Sequence, residues 1–276
     1  MSFGLAPQIG SADEKTTRNA LMARLNYAFA DRFNFSASIR RDGYSRFGSK
    51  NLYATFPSLS GAWTITNENF MESRPGFISY MKIRASWGVN GNSSGLKSYA
   101  AYASLADNKY LNYDGGYFVA PYLEVNRIAN PDLSWEKNDA FNFALDFKLF
   151  ENRVSGTLDV YTANTTELLL DKKLPTLTGF SSITTNIGNL KNKGLDLGIT
   201  TINVTNSDFV WTSTFNAHYN TNKIVSLTGE LVEKEVNGQT VLVEPDDITN
   251  EWFIGQNKDV IWEYEVDGIY QLGEEA

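Results

Sequence analysis

The stretch WEKNDAFNFALDFKLFENRVSGTLDVY, residues 135–161, decides the fold. Across residues 141–149 every second residue is apolar, and the residues between are small or polar. A period of two is typical of a β-strand with one apolar and one polar face. The alternation resumes at residues 154–160 after a short polar break, so the stretch predicts a hairpin closed by a tight turn.

The same alternation recurs along the chain and predicts an all-β, antiparallel meander. We expect about eight strands, at residues 20–30, 33–41, 54–66, 80–90, 134–149, 153–163, 185–202 and 209–224. Between them, short connections alternate with long loops, which are residues 41–53, 91–133, 164–184 and 225–276. Short turns on one rim and long loops on the other are typical of a transmembrane β-barrel with long extracellular loops. A soluble sandwich has no reason to be so asymmetric.

Composition narrows the class of protein further. The formal net charge is −8 and no basic stripe is present, so a nucleic-acid partner is not expected. Cysteine is absent and His218 is the single histidine, so neither a thiolate or histidine metal site nor a cysteine nucleophile is expected. No run of eighteen apolar residues predicts a transmembrane helix, whereas the strands of a membrane barrel are only mildly apolar on average. No cofactor, metal or catalytic residue is predicted.

The two faces of the predicted strands differ in a way that suits a hydrated interior. The polar parity holds mostly Ser, Thr, Asn, Ala and Gly, with few of the Lys and Glu residues that collect on a water-exposed face. Aromatic residues gather near the short turns, which is typical of the girdles at the level of lipid headgroups. The other interpretation is that these rings fill a soluble core. The inward parity also carries charged candidates, which are Arg24, Arg40, Arg84, Asp146, Asp159, Asp196 and His218.

Eight strings carry a resemblance to a known family. They are RDGYSRFG (41–48), FPSLSGAW (56–63), KIRASWGVNGN (82–92), NPDLSWE (130–136), LFENRVSGTLDVY (149–161), LPTLTGF (174–180), NIGNLKNKGLDL (186–197) and NTNKIVSL (220–227). In this order they resemble the C-terminal part of the SusC/RagA-type TonB-dependent outer-membrane transporters of Bacteroidetes. Each string alone is a weak signal, and eight in order over most of the chain are a specific one.

The resemblance implies a section of a 22-stranded barrel that imports glycan or peptide oligomers across the outer membrane. It also implies a SusD-like surface lipoprotein as partner, contact with outer-membrane lipid, and energy supplied by TonB through an N-terminal part. We find no plug domain, TonB box or secretory signal, and eight strands do not surround a 22-strand lumen, so we expect residues 1–276 to be a partial barrel.

The longest internal loop supplies the candidate substrate residues. Flat rings that also form hydrogen bonds are suited to stacking on sugars or peptide bonds, and the resemblance places this loop on the substrate side. The candidates are Tyr99, Tyr102, Tyr110, Tyr113, Tyr117 and Tyr122. The same rings would also serve to pack the loop on itself.

Two other classes of function stay open at this point. A soluble all-β carbohydrate-binding module would use the same tyrosines on a stand-alone sandwich, and a β-rich enzyme such as a glycosidase has only generic carboxylates to support it. The side chains of Phe141 and Phe143 discriminate between them. A transporter exposes these rings on the outside of a single curved sheet, whereas a soluble module buries them against a second sheet.

Overall fold

The computed structural model describes residues 13–111, 119–236 and 238–263, which fold almost entirely into strands. The strands are β1 (Arg18–Phe29), β2 (Phe33–Tyr44), β3 (Tyr53–Thr64), β4 (Ile78–Asn92), β5 (Ser104–Leu111), β6 (Val119–Arg127), β7 (Glu136–Leu149), β8 (Val154–Thr166), β9 (Leu169–Lys173), β10 (Ser182–Asn186), β11 (Asn189–Thr205), β12 (Val210–Ser226), β13 (Val232–Val236) and β14 (Gln239–Val243). Short 3-10 helices lie at Ile65–Asn67, Asn69–Met71, Thr176–Thr178 and Ile248–Asn250. Among the residues that are described, no helix is long and apolar enough to cross a membrane.

One large sheet contains the eight long strands. Its order is β1-β2-β3-β4-β7-β8-β11-β12, and every neighbouring pair is antiparallel. Each strand therefore pairs with the strands that precede and follow it in the main sheet, which confirms the predicted antiparallel meander. The ends differ from the predicted ones by a few residues. The largest shift is at β11, which starts at Asn189 rather than at residue 185, because Gly188 adopts a φ of +82° and separates β10 from β11.

Three of the long connections predicted as loops contain short strand pairs. The pairs are β5 with β6, β9 with β10, and β13 with β14, and they lie within residues 104–127, 169–186 and 232–243. The strands of the last two pairs are only five residues long, so they show little of a period of two. The sequence of β9, LLDKK, does not alternate at all, and β6 contains Pro121. Backbone pairing across a local hairpin stabilises them without an apolar face that the sequence would reveal.

The strands of the main sheet are progressively staggered. One row of directly opposite residues begins at the β1–β2 turn with Phe29 and reaches Leu145 on β7 and Leu197 on β11. From that row β7 continues for four residues to Leu149, and β11 continues for eight residues to Thr205. The stagger is about one residue per strand. With about 3.3 Å per residue and about 4.8 Å between strands, it corresponds to a strand tilt of about 40°, which is typical of closed barrels.

The two faces of this sheet are chemically distinct. The apolar face, which has the parity of Phe141 and Phe143, is uncovered: these two rings are 45 % and 44 % exposed. The polar face has the parity of Asn142. Nowhere in the described ranges does a second sheet pack on the apolar face. The burial that a soluble sandwich requires is therefore absent from this part of the molecule, and the rings face whatever surrounds the sheet.

Aromatic rings surround the short turns on the apolar face. Tyr27 and Phe29 stack with ring centroids 6.4 Å apart just before the first turn, and Phe33 lies 6.2 Å from Trp63 just after it. Further along the staggered edge, Phe77 at the end of the β3–β4 connection lies 5.9 Å from Phe150 in the β7–β8 turn, and the exposed rings of Phe209 and Trp211 lie at the β11–β12 turn. The predicted aromatic clustering near the turns is thus present, and it follows the oblique edge of the sheet.

A compact cluster at the opposite, loop-bearing edge is the main buried core of the described residues. This rim cluster consists of Tyr44, Phe47, Phe56, Leu96, Ala100, Ala101, Leu133 and Trp135. The ring of Trp135 lies at its centre, with centroids 4.5 Å from Phe47 and 5.6 Å from Phe56. It fixes three connections against one another, because its members come from residues 44–47, 96–101 and 133–135 as well as from β3.

Backbone hydrogen bonds and tight packing support the rim cluster. The N–H of Gly48 donates to the carbonyl of Leu133 at 2.8 Å, and a Cβ at Gly48 would lie 2.0 Å from the carbonyl oxygen of Pro131. Only glycine fits this approach. The side chain of Arg46 donates to the carbonyl of Leu96. The RDGYSRFG and NPDLSWE strings therefore serve to connect loops.

Truncating Leu133 tests the contribution of the rim cluster. Leu133 is fully buried, so we expect Leu133→Ala to lower the local free energy of unfolding by about 2–5 kcal/mol. Backbone hydrogen exchange across residues 45–52 and 128–135 measures this change. Leu177→Ala is the matched control, because Leu177 is 99 % exposed and its truncation should change protection by less than about 0.5 kcal/mol. Equal protection in the two variants would contradict the assignment.

A single carboxylate organises the connection that follows β12. Oε1 of Glu244 accepts hydrogen bonds from the backbone N–H groups of Leu227 (2.6 Å), Thr228 and Gly229 (2.8 Å). Partial burial acts to raise the pKa of Glu244. The hydrogen bonds from Gly229, the Ser226 side chain, Leu227 and Thr228 outweigh it, so this pKa lies below its ordinary value. The ionised carboxylate thus ties β14 to the end of β12.

Lowering the pH should release this connection. Because the folded-state pKa of Glu244 is lowered, its contribution to stability is present above the ordinary glutamate pKa and is lost as the pH falls through the folded-state value. We expect hydrogen-exchange protection of residues 227–229, corrected for the intrinsic rate, to fall over this acidic range. Glu244→Gln should lower protection and abolish its pH dependence, while Glu235→Gln, an exposed carboxyl on β13, should not. An unchanged pH profile in Glu244→Gln would refute the assignment.

Candidate functional site

Charged side chains cross the polar face of the main sheet along one row. Arg84 on β4, Asp159 on β8, Asp196 on β11 and His218 on β12 all occupy this row, in which Ala144 stands between Arg84 and Asp159. These four were predicted to share the inward parity, and the register brings them side by side. Residues directly opposite on neighbouring strands are close enough to interact.

Arg84 is the centre of the best-ordered contacts in this row. Its guanidinium donates twice to the carboxylate of Asp146, through Nε to Oδ2 at 2.8 Å and through Nη2 to Oδ1 at 2.9 Å. Its Nη2 also lies 3.8 Å from Oδ1 of Asp159. Thr157 Oγ1 donates to Asp146 at 3.2 Å, and Asn142 Nδ2 donates to Asp159 at 3.3 Å. A two-pronged pairing of this kind fixes both side chains, because it matches the planar guanidinium to the carboxylate.

The second half of the row is a contact between Asp196 and His218. These residues lie directly opposite one another, and His218 Nδ1 meets Oδ1 of Asp196. Asp196 also lies opposite Asp159, so two carboxylates are neighbours. The Arg84 guanidinium offsets part of that repulsion on one side, and on the other side Asp196 contacts the ring of His218. The cluster therefore combines one bidentate ion pair with further carboxylates that form hydrogen bonds.

The remaining two predicted residues lie nearer to the loop edge. Arg24 Nε donates to the hydroxyl of Ser36 at 3.2 Å, and Arg40 pairs with Asp42 at 2.7 Å. Arg24 lines a cavity together with Arg84 and Asn142, although it makes no hydrogen bond or ion pair with them. A cavity of about 400 Å³ lies beside Arg40, within the size range of small-molecule sites. Its lining includes Arg18, Asp42, Phe56, Asn90, Ser93 and Trp135. It therefore joins the polar face to the rim cluster.

Uncharged polar residues of this face were not singled out from the sequence. The ring of Tyr161 lies across Gly194, where a Cβ would come within 2.3 Å of the ring, and its hydroxyl donates to Asn220 at 3.3 Å. The hydroxyls of Ser38 and Ser58 are 2.6 Å apart. Their parity was readable, but their cross-strand partners depend on the register of strands distant in sequence.

The loop tyrosines are placed only in part. Tyr99 and Tyr102 meet edge to face with centroids 6.5 Å apart, both are exposed, and Arg127 donates to both of their backbone carbonyls, at 2.8 and 3.1 Å. Tyr110 and Tyr122 belong to β5 and β6, and their side chains are outside the description. The predicted Tyr113 and Tyr117 lie outside the described residues altogether.

The chemistry available on the polar face is that of binding. Within residues 13–111, 119–236 and 238–263, no group of three or more His, Asp or Glu side chains is arranged to hold a metal ion. The cluster around Arg84 offers an ion pair, amides and hydroxyls, which are groups suited to contact with polar molecules. Exposed rings at the loop edge offer flat apolar surfaces with hydrogen-bonding groups.

Comparison with known families and proteins gives a consistent result. The family model described as "TonB dependent receptor-like, beta-barrel" matches residues 3–253. The chain is similar to the TonB-dependent receptor SusC of Bacteroides thetaiotaomicron, with 36 % identity over 83 % of this chain and 23 % of that protein. It is also similar to TonB-dependent receptor P3 of Formosa agariphila, with 35 % identity over 92 % of this chain and 25 % of that protein. The chain thus spans about a quarter of the length of these relatives.

Solved structures agree with this result. The RagAB peptide importer in its "closed-closed" state matches 87 % of this chain and 24 % of its own chain, with a TM-score of 0.70 and 32 % identity. Its "open-open" state matches 83 % of this chain and 24 % of its own chain, with a TM-score of 0.71 and 32 % identity. The resemblance seen in the eight strings is thereby confirmed. The chain belongs to the TonB-dependent receptor-like β-barrel family, as a section of an outer-membrane barrel of the SusC/RagA type.

Proposed function

We propose that the complete protein containing this chain imports glycan or peptide oligomers across the outer membrane, and that the chain forms one section of the barrel wall and its loops. One observation carries the proposal. The main sheet is tilted, exposes an apolar face to its surroundings and gathers paired charges, amides and hydroxyls on the other face. Such a sheet is suited to a wall with lipid on one side and a polar lumen on the other.

In this proposal the polar face lines the lumen. The cluster around Arg84 presents charges that are already paired, so it hydrates the passage without trapping a passing polar molecule. Arg24 and Arg40 with their neighbours lie closer to the loop edge, where the cavity beside Arg40 provides a first contact for a sugar or peptide unit. No covalent step is needed, because import depends on capture and release.

The placement of the loops at one edge of the sheet also supports a proposal about partner proteins. SusC and RagAB are among the proteins to which the chain is similar, and RagAB is described in open-open and closed-closed states. We propose a SusD-like surface lipoprotein as a lid over the loop edge, and energy delivered through TonB to an N-terminal part of the complete protein. The rim cluster would support the lid, because it holds three loops as one packed unit.

Uptake by the complete protein tests the function. Expressed with its lid partner in cells that retain TonB, the transporter should accumulate fluorescent oligosaccharides or oligopeptides, and only one of these pools should saturate at low concentration. Accumulation should stop when TonB is deleted. TonB-independent leakage of both pools, or no uptake of either pool by correctly folded protein, would count against the proposal.

Tyr99 and Tyr102 are the described candidates for contact with the cargo. Replacing both by Ala should raise the concentration for half-maximal uptake by at least about thirtyfold, because ring stacking contributes about 1–3 kcal/mol per ring and two rings are removed. Replacing both by Phe should retain most of the affinity. Tyr27→Ala and Tyr219→Ala are the matched controls, because those exposed rings lie on the apolar face. Equal losses in both sets of variants would argue that Tyr99 and Tyr102 act only through folding.

A further inference from the structure

Charged residues on the apolar face are confined to one end of the strands. Within the eight strands of the main sheet, six residues of this parity carry charge, and all lie toward the loop-bearing edge. They are Arg41, Lys137, Asp139, Lys191, Lys193 and Lys223. Five of the six are basic, although the chain as a whole has a net charge of −8. The excess of positive charge is therefore local.

Three of these lysines form a patch, which we call the lysine patch: Lys191, Lys193 and Lys223. Lys191 on β11 lies directly opposite Lys223 on β12, and Lys193 follows two residues along β11 on the same face. All three side chains are exposed. By contrast, Arg41 lies over the ring of Tyr53, and Lys137 pairs with Glu167 at 3.0 Å.

The lysine patch forms no ion pair among the described residues. None of the ion pairs found there includes a member of the patch. Asp139 shares the register row of Lys191 but is separated from it by Asn164 on β8, and it accepts a hydrogen bond from Trp87 at 2.7 Å. Like charges directly opposite on neighbouring strands are destabilising, so the pair of Lys191 and Lys223 favours an anion beside it.

The distance of the lysine patch from the apolar part of the same face indicates what that anion is. Lys193 lies two residues beyond Leu195, and Lys223 lies four residues beyond Tyr219, which are the last apolar residues of these strands on this face before the patch. At about 3.3 Å per residue and a tilt of about 40°, the ammonium groups start about 5 to 10 Å above the apolar band. Lipid headgroups occupy this layer, which is about 5–8 Å thick on each side of the hydrocarbon core.

We propose that the lysine patch binds the phosphorylated sugar headgroup of an outer-leaflet glycolipid, whose acyl chains lie along Leu195 and Tyr219. This proposal rests on the proposed function in two respects: the apolar face must be in contact with lipid, and the loop-bearing edge must lie on the outer side of the membrane. A glycolipid is favoured over a single small anion because the three ammonium groups are spread over two strands and two successive positions of one face. The uncovered apolar side chains below them are continuous with the patch, which suits a ligand with one phosphorylated and one apolar end.

Native mass spectrometry of the complete, delipidated transporter in detergent tests the proposal. Phosphorylated lipid A is titrated against the protein and against the variant K191Q/K193Q/K223Q. Each lysine near an anionic lipid headgroup contributes about fivefold, so the variant should bind on the order of a hundredfold more weakly. The control K97Q/K173Q/K234Q removes the same charge from exposed lysines outside the main sheet and should bind as the unmodified protein does.

Three further ligands separate the possible sources of the anion. Dephosphorylated lipid A should bind weakly and equally to all variants. Preferential binding of phosphatidylglycerol would show that the ligand is a glycerophospholipid and would overturn the proposal. Displacement of lipid A by inorganic phosphate at equal concentration would overturn it as well. Equal lipid A binding by the lysine-patch variant and the control would also overturn it.

A conservative variant guards against misfolding. K191R/K193R/K223R should bind lipid A as the unmodified protein does, and if the Gln variant fails to fold, K193Q alone should still weaken binding about fivefold. Lipid binding is measured independently of transport. If uptake fails while lipid A binding remains intact and depends on the lysines, the proposed cargo is wrong and the proposed lipid site stands. If uptake is normal while lipid A binding does not depend on the lysines, the proposed lipid site is wrong and the proposed function stands.

Discussion

The structure depends on cross-strand backbone pairing between strands whose side chains alternate in polarity over most of their length. Pairing satisfies the N–H and C=O groups that a hydrocarbon environment cannot, and alternation sends every second side chain to the same face. Once the register is fixed, Phe141 and Phe143 must lie on the face opposite Asn142. A slip by one residue would exchange the two faces, so the pairings hold the lipid-facing and polar sides apart.

The stagger of the strands connects this local rule to the architecture of the whole barrel. Because each strand is shifted by about one residue relative to its neighbour, the apolar band and the aromatic rings at the turns run obliquely across the register rows. Rows of opposite residues therefore change height from strand to strand. The Arg84 row on the polar face crosses from β4 to β12, while the rim cluster anchors the loops at the edge above it.

Much of the fold was readable from the sequence because a period of two is a local signal. The alternation at residues 141–149 predicts a strand without reference to any other part of the chain. The short hairpin strands were not predicted because segments such as LLDKK do not alternate in polarity. The predicted start of β11 was too early because the sequence alone does not show that Gly188 adopts a positive φ. The pairing of Arg84 with Asp146, 62 residues apart, and the position of Tyr161 over Gly194 depend on register, which one sequence does not specify. The shared parity of these polar residues was predictable, and their partners were not.

The most direct test of the account is the environment of neighbouring residues on opposite faces. Spin labels are attached to single cysteines at Leu59, Ser60, Phe141 and Asn142 of the complete protein in lipid bilayers, a design helped by the absence of cysteine from this chain. Collision with oxygen should dominate at positions 59 and 141, and collision with a water-soluble relaxation agent should dominate at positions 60 and 142. The same preference at both members of each pair, or the reverse preference, would contradict a wall with lipid on its apolar face and water on its polar face.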